Sequence, residues 1–218
     1  MTAARMTAPP RVAYQGEPGA YGEQAVAREW GGAATAIGAP TFRDALSLLG
    51  SHAADFAMIP VWNSTIGEIQ DTKLLLAHHA ARVEQVSELT LPVVHCLLGL
   101  PGATLASLRY VGSHPAALAQ CRGLFANRRT LQPCVAHDTA GAARELAALG
   151  TPALEPAPVA PPTWFAPYRP VEPTALAAIA GQGVARLYGL AVIAEAVQDN
   201  PTNATRFVIV RAQDGARW

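Results

Sequence analysis

Apolar positions along the chain recur at two periods, and the switches between them mark the elements. Residues 11–15 read as a strand, with Val12, Ala13 and Tyr14 apolar, closed by the turn Gly16-Glu17-Pro18-Gly19. A helix is predicted from Tyr21 through Ala25, Val26 and Trp30, and a second over 41–49 with Phe42, Ala45, Leu46 and Leu49 on one face. Residues 55–60 form a predicted strand, 61–67 a polar loop, and 68–81 a helix ending near His78 and His79. Residues 83–91 read as an extended linker, and 92–99 as a strand. Beyond it come a short strand over 109–111, a helix carrying Ala117, Leu118, Gln120, Cys121 and Leu124, a strand over 131–136 and a helix over 140–149. Residues 174–189 read as one helix weakened by Gly181 and Gly183, and 190–197 as extended. The run Phe207-Val208-Ile209-Val210 is a buried strand, bounded by a polar turn over 199–203.

Strand, polar loop and helix therefore repeat in two groups. This predicts two α/β lobes with a cleft between them, the polar loops facing it. The expected boundaries are a disordered leader over 1–10, lobe 1 over 11–90, lobe 2 over 91–195, and a return to lobe 1 over 196–218. Residues 151–173 hold eight prolines, which excludes a regular helix or strand there. That stretch is expected to be a long polyproline-like loop whose Trp164, Phe165 and Tyr168 need cover from the fold, a partner subunit or the cleft.

Composition narrows the class. With 218 residues, 50% hydrophobic and 15% charged, the chain is expected to fold around a sizeable core. Lys+Arg and Asp+Glu are both 16, so no excess charge points to nucleic acid or an anionic membrane, and little net repulsion opposes self-association. Cys96, Cys121 and Cys134 have no CxxC spacing, which argues against structural zinc or a disulfide framework and fits a reducing cytoplasm. His78 and His79 are adjacent, not at ligand spacing, so no metal is expected. The first residues lack an apolar signal core, and no apolar run reaches membrane-spanning length.

Several polar groups stand where strands end. The glycine turn at 16–19 is either an anion cradle at a helix start or an ordinary strand-to-helix turn. Asn63, Ser64 and Thr65 supply more side-chain donors than capping the next helix requires. Ser113 is the expected cap of the next helix, with Pro115 in its first turn, and Ser113-His114 also read as ligand groups. His137 precedes a helix capped by Asp138 or Thr139. Thr205 and Arg206 open the last strand, where a hydroxyl beside a guanidinium suits an anionic substrate.

Taken together, these stretches resemble the prephenate dehydratase family. The blocks are Tyr14-Gln15-Gly16-Glu17-Pro18-Gly19-Ala20, Ile59-Pro60-Val61-Trp62-Asn63-Ser64-Thr65-Ile66-Gly67, and His95-Cys96-Leu97-Leu98-Gly99. Next come Ser113-His114-Pro115-Ala116-Ala117-Leu118-Ala119-Gln120-Cys121 and Leu187-Tyr188-Gly189-Leu190, then Gln198-Asp199-Asn200 running into Asn203-Ala204-Thr205-Arg206-Phe207. Their order holds over 11–211. The resemblance implies an α/β, two-lobed, periplasmic-binding-protein-like (type II) fold with the active site in the interlobe cleft. It implies decarboxylating dehydration of prephenate to phenylpyruvate in phenylalanine biosynthesis, with no metal or organic cofactor. Thr205, Asn63 and Gln120 match catalytic positions; Ser64, Thr65, Ser113, His114, Arg206, Phe207 and Trp62 match or adjoin substrate-binding ones.

Three departures accompany the resemblance. Trp62 stands where the family usually has Glu, the proline-rich stretch is long, and the residues after Val210 leave no room for the ACT domain that commonly follows. The expected partners are prephenate and a second copy of the chain as a homodimer, with neither nucleic acid nor membrane, in the cytoplasm. The Trp62 departure keeps open a decarboxylase that retains the hydroxyl, arogenate is a possible substrate, and a two-lobed binding module is the non-enzymatic alternative.

Overall fold

In the computed structural model, residues 8–150, 163–168, 172–215 and 218 are described. Residues 1–7 of the expected leader and most of the proline-rich stretch, 151–162 and 169–171, lie outside them. The chain divides into two units, Met1–Pro92 with Ala204–Trp218, and Val93–Asn203.

The first unit is built around central strands whose middle residues are buried. β1 (Arg11–Gln15) is followed by α1 (Tyr21–Trp30), which Gly31 ends in the left-handed conformation. β2 (Thr35–Ala39), which the periodicity did not reveal, precedes α2 (Phe42–Gly50), capped by Thr41 Oγ1 accepting from the Asp44 amide. β3 (Phe56–Asn63) runs three residues further than expected, so Trp62 and Asn63 belong to a strand and not to the loop. The short β4 (Gly67–Glu68) folds back on it, and α3 (Gln70–His78) follows. The expected linker is instead β5 (Val83–Pro92), a ten-residue strand.

In the second unit, β6 (His95–Gly99) and β7 (Tyr110–Ser113) lead to α4 (Pro115–Ala119) and α5 (Arg122–Asn127), where one helix was expected. β8 (Gln132–Val135) and α6 (Thr139–Ala148) follow, the latter capped by Asp138. The predicted helix over 174–189 is incorrect. Those residues form a 3-10 turn, then β9 (Leu176–Gly181), and only then α7 (Gln182–Tyr188). β9 is the middle strand of its sheet and buried along its whole length, so tertiary burial overrides the helical preference of its alanines. β10 (Ala191–Ala194) follows, and β11 (Ala204–Ala212) returns to the first unit.

Each unit carries one mixed sheet of the same layout. In the first, β2, β1 and β3 are parallel, and β11 and β5 continue antiparallel. In the second, β8, β7 and β9 are parallel, and β6 and β10 continue antiparallel. β11 lies between β3 and β5 and is buried on both sides, which explains its unbroken apolar run. Val208 and Val210 join a core with Ala13, Leu46, Leu49 and Ile59. The second core gathers Leu97, Leu108, Val111, Cys121 and Ile179.

Trp164 and Phe165 need no cover from another subunit, because both are buried within the second unit. The Trp164 indole donates to the Ala142 carbonyl of α6 at 3.1 Å. Its ring covers Gly112 so closely that a Cβ there would lie 2.4 Å from it.

Candidate active site

The mouth of β11 is fixed by the end of β3. Thr205 pairs with Asn63 across the two strands. Asn63 Oδ1 accepts from the amides of Thr65 (2.9 Å) and Ile66 (3.3 Å), which sets the orientation of its side-chain amide. Its Nδ2 therefore donates, to the Ala204 carbonyl at 3.1 Å and to Thr205 Oγ1 at 3.0 Å. Ser64 ties the following loop to the same place: its amide donates to the Ala204 carbonyl, and its Oγ accepts from the Ala204 amide. Thr205 is only 8% exposed. Its oxygen accepts from Asn63, and its own hydrogen has no acceptor among the described residues. A buried hydroxyl whose lone pair is engaged and whose O–H is uncommitted is a directed hydrogen-bond donor.

Trp62 and Arg206 form the neighbouring cross-strand pair. Adjacent residues of a strand face opposite ways, so this pair lies on the other face of the two strands from Asn63 and Thr205. There the Arg206 guanidinium stands 6.0 Å from the centre of a Trp62 ring, a cation–π contact. Glu68 is the β4 partner of Trp62; Lys73 chiefly, with Arg206 adding to it, holds its carboxyl below the usual range. Phe207 is buried in the sheet, and Thr65 is exposed.

The second unit carries its own polar cluster. Ser113 does not cap α4. β7 extends through it, and its Oγ donates to the Ile179 carbonyl of β9 at 2.7 Å. The cap is His114, whose Nδ1 accepts from the Ala116 amide at 3.2 Å. The neutral ring then carries its proton on Nε2. Gln120, at the end of α4, is buried, and its Oε1 accepts from Asn203 Nδ2 at 2.7 Å and meets His95 Nε2 at 3.1 Å. Burial pushes the His95 pKa below its ordinary value, against the opposing pull of the Gln120 hydrogen bond. His95, Gln198 and Asn203 went unassigned in the sequence. For His95 the available signal was a polar side chain within the predicted strand over 92–99, since a buried polar side chain requires a partner.

The glycine turn is of the ordinary kind, because the Gly19 amide is taken by the Glu23 carboxylate of α1. Asp138 is committed to its cap, accepting from the Gly141 amide at 2.6 Å. Among the described residues no group of three or more His, Cys, Asp or Glu is arranged to hold a metal, and no helix is long and apolar enough to cross a membrane.

Two α/β units with mixed sheets of this layout, one interrupting the other, define a protein of the two-lobed periplasmic-binding-protein-like class. Within that class the chain belongs to the prephenate dehydratase family, whose sequence profile matches residues 12–215. It is 39% identical over 206 residues to arogenate dehydratase 1 of Petunia hybrida, covering 92% of this chain and 42% of that one. The prephenate dehydratase of Arthrobacter aurescens, solved in complex with L-Phe, superposes with a TM-score of 0.72 at 28% identity, over 94% of this chain and 61% of that one. GqqA, described as a novel type of quorum quenching acylase, superposes equally, with a TM-score of 0.72 at 32% identity, over 94% and 65% of the two chains. The chain thus spans about two fifths of the length of this curated relative.

Proposed function

We propose that the chain is a prephenate dehydratase, a carbon–oxygen lyase that converts prephenate to phenylpyruvate, carbon dioxide and water. The observation that carries this reading is the Thr205 hydroxyl, buried, oriented by Asn63 and with its hydrogen uncommitted among the described residues. In the reaction the ring carboxylate leaves as carbon dioxide. Its bonding electrons enter the ring, which becomes aromatic and expels hydroxide from the opposite carbon. One proton converts that hydroxide to water. Thr205 donates a hydrogen bond to the departing oxygen and so stabilises charge that develops only in the transition state. Asn63 holds the hydroxyl, and Gln120 offers an amide to the substrate. Ser64, Thr65, Ser113 and His114 are the remaining groups we assign to binding. The Nε2–H of His114 suits a carboxylate.

The residue at position 62 does not decide the chemistry in this reading. Trp62 packs against Arg206 on the strand face opposite Thr205, so exchanging Glu for Trp alters the partner of a guanidinium and leaves the hydroxyl untouched. Arg206, Trp62 and Phe207 then support the strand mouth. Three buried cysteines, none of them in a disulfide, accord with a reducing cytoplasm, and a net charge of zero with a homodimer, which sedimentation at micromolar concentration tests.

The test of function is incubation of the protein with prephenate at neutral pH, and with arogenate in parallel, identifying products by mass and proton NMR. The wild type and Trp62→Glu are both expected to yield phenylpyruvate. A product that has lost carbon dioxide but kept the hydroxyl would overturn the reading in favour of a decarboxylase. Turnover of arogenate alone would transfer the assignment to that substrate, and no turnover of either would leave a binding module.

A further inference from the structure

We infer that His95 and Asn203 are positioning residues for Gln120: they hold its side-chain carbonyl and so present its two amide N–H groups as a fixed donor pair for a carboxylate or carbonyl oxygen of the substrate. The inference rests on the dehydratase reading for the identity of the substrate, but not for the geometry.

A glutamine carbonyl has two lone pairs. Both are engaged here, one by Asn203 Nδ2 at 2.7 Å and one by His95 Nε2 at 3.1 Å. With the carbonyl so placed, we assign His95 the tautomer with its proton on Nε2. Because the amide is planar, fixing the oxygen fixes the direction of the NH₂ group. That group has no acceptor among the described residues. All three side chains are buried: His95 is 2% exposed, Asn203 3% and Gln120 6%. Burying three polar groups costs more than filling the same space with apolar ones, and the arrangement confers orientation in return.

The segment after β10 exists, in these terms, to hold the pair. The Val197 amide donates to the His95 carbonyl at 2.9 Å, and Gln198 Oε1 accepts from the His95 amide at 2.9 Å. The Asp199 amide donates to the Gln120 carbonyl at 2.7 Å, while its carboxylate accepts from the amides of Arg122 (2.9 Å) and Gly123 (2.7 Å) at the start of α5. The Asn203 carbonyl accepts from the Val93 amide at 2.8 Å. One loop thus grips both ends of the His95–Gln120 contact, and Asn203 closes it.

The experiment has a kinetic and a spectroscopic arm, on the full chain. Asn203→Asp places an oxygen against the Gln120 carbonyl and forces the amide to turn over. His95→Leu removes one of the two donors, and His95→Gln restores a donor near the position of Nε2. With prephenate, Asn203→Asp and His95→Leu are expected to lose about ten-fold or more in kcat/KM, the effect of a misdirected hydrogen bond. His95→Gln should recover most of the loss that His95→Leu causes. A merely structural role predicts losses that follow the urea midpoint, with no rescue at equal stability. Variants within about three-fold of wild type, or a His95→Gln as impaired as His95→Leu, overturn the inference. The second arm reads the tautomer of His95 in the wild type by long-range ¹H–¹⁵N NMR. The Nε2–H form is expected. The Nδ1–H form overturns the inference whether or not any variant folds. If the wild type turns over no prephenate, the dehydratase reading fails while the tautomer still judges the geometry.

Discussion

Replacing Thr205 with valine isolates the hydroxyl from everything else at the strand mouth. Valine keeps the β-branched shape that suits a strand and puts a methyl in place of the hydroxyl. In the folded protein the change takes the Thr205 oxygen from Asn63 Nδ2, which keeps its hydrogen bond to the Ala204 carbonyl. Losing one partner of a buried amide costs about 1 kcal/mol, partly offset by the added methyl, so the urea midpoint should move little. The chemical step should suffer far more. If Thr205 assists hydroxide departure, kcat should fall about 10²-fold or more, equivalent to about 2.7 kcal/mol of barrier. Thr205→Ser returns the oxygen without the methyl and should recover most of that loss. The assay is the absorbance of phenylpyruvate enolate in base, under saturating prephenate, beside urea unfolding of each variant. A folded valine variant with kcat within about three-fold of wild type would refute the role given to the hydroxyl.

Gly112→Ala should destabilise the second unit by about 1–3 kcal/mol through overpacking, because the new Cβ would meet the Trp164 ring at 2.4 Å; a wild-type urea midpoint would contradict the burial of that indole. Acidification should destabilise the protein through three histidines. His79 is held below its ordinary pKa first by burial, then by His78, Arg82 and Arg43, and its ring nitrogens have no hydrogen-bond partner among the described residues. His95 and His114 are lowered chiefly by burial as well. The unfolded chain protonates these rings near 6.5 while the native state resists, so the unfolded state binds more protons and stability falls as pH drops below that value. Urea midpoints at pH 7.5 and pH 5.5 test this, and His79→Phe should flatten the difference; a midpoint that rises on acidification would falsify the assignment of neutral rings.

Much of this was legible where periodicity and chemistry agreed. The strand at Phe207–Val210 and the alternation of strands with helices follow from local pattern, whereas the weight placed on Asn63, Gln120 and Thr205 came from the family resemblance. The reading failed where burial on both faces erased the pattern. Leu176-Ala177-Ala178-Ile179-Ala180 has the composition of a helix and becomes a central strand because other strands and α6 enclose it. β5 failed for the opposite reason: an edge strand with many exposed positions reads as a linker until its partner, β11, is known to come from more than a hundred residues away. Ser113 looked like a cap because it precedes a helix, but β7 does not stop before it. The His95–Gln120–Asn203 contact joins positions separated by 25 and 83 residues, and no local rule connects them.

The placement of β11 also sets an order of events during synthesis. Residues 93–203 are continuous, so the second unit can close its whole sheet as it leaves the ribosome. The first unit cannot, because β3 and β5 flank a gap that only residues 204–212 fill. Until then two unpaired strand edges stand open, which is where a nascent chain invites mispairing and where a chaperone would find its substrate. The strand that fills this gap also carries Thr205, so the hydroxyl proposed to act in the reaction takes its place in the same step that completes the sheet.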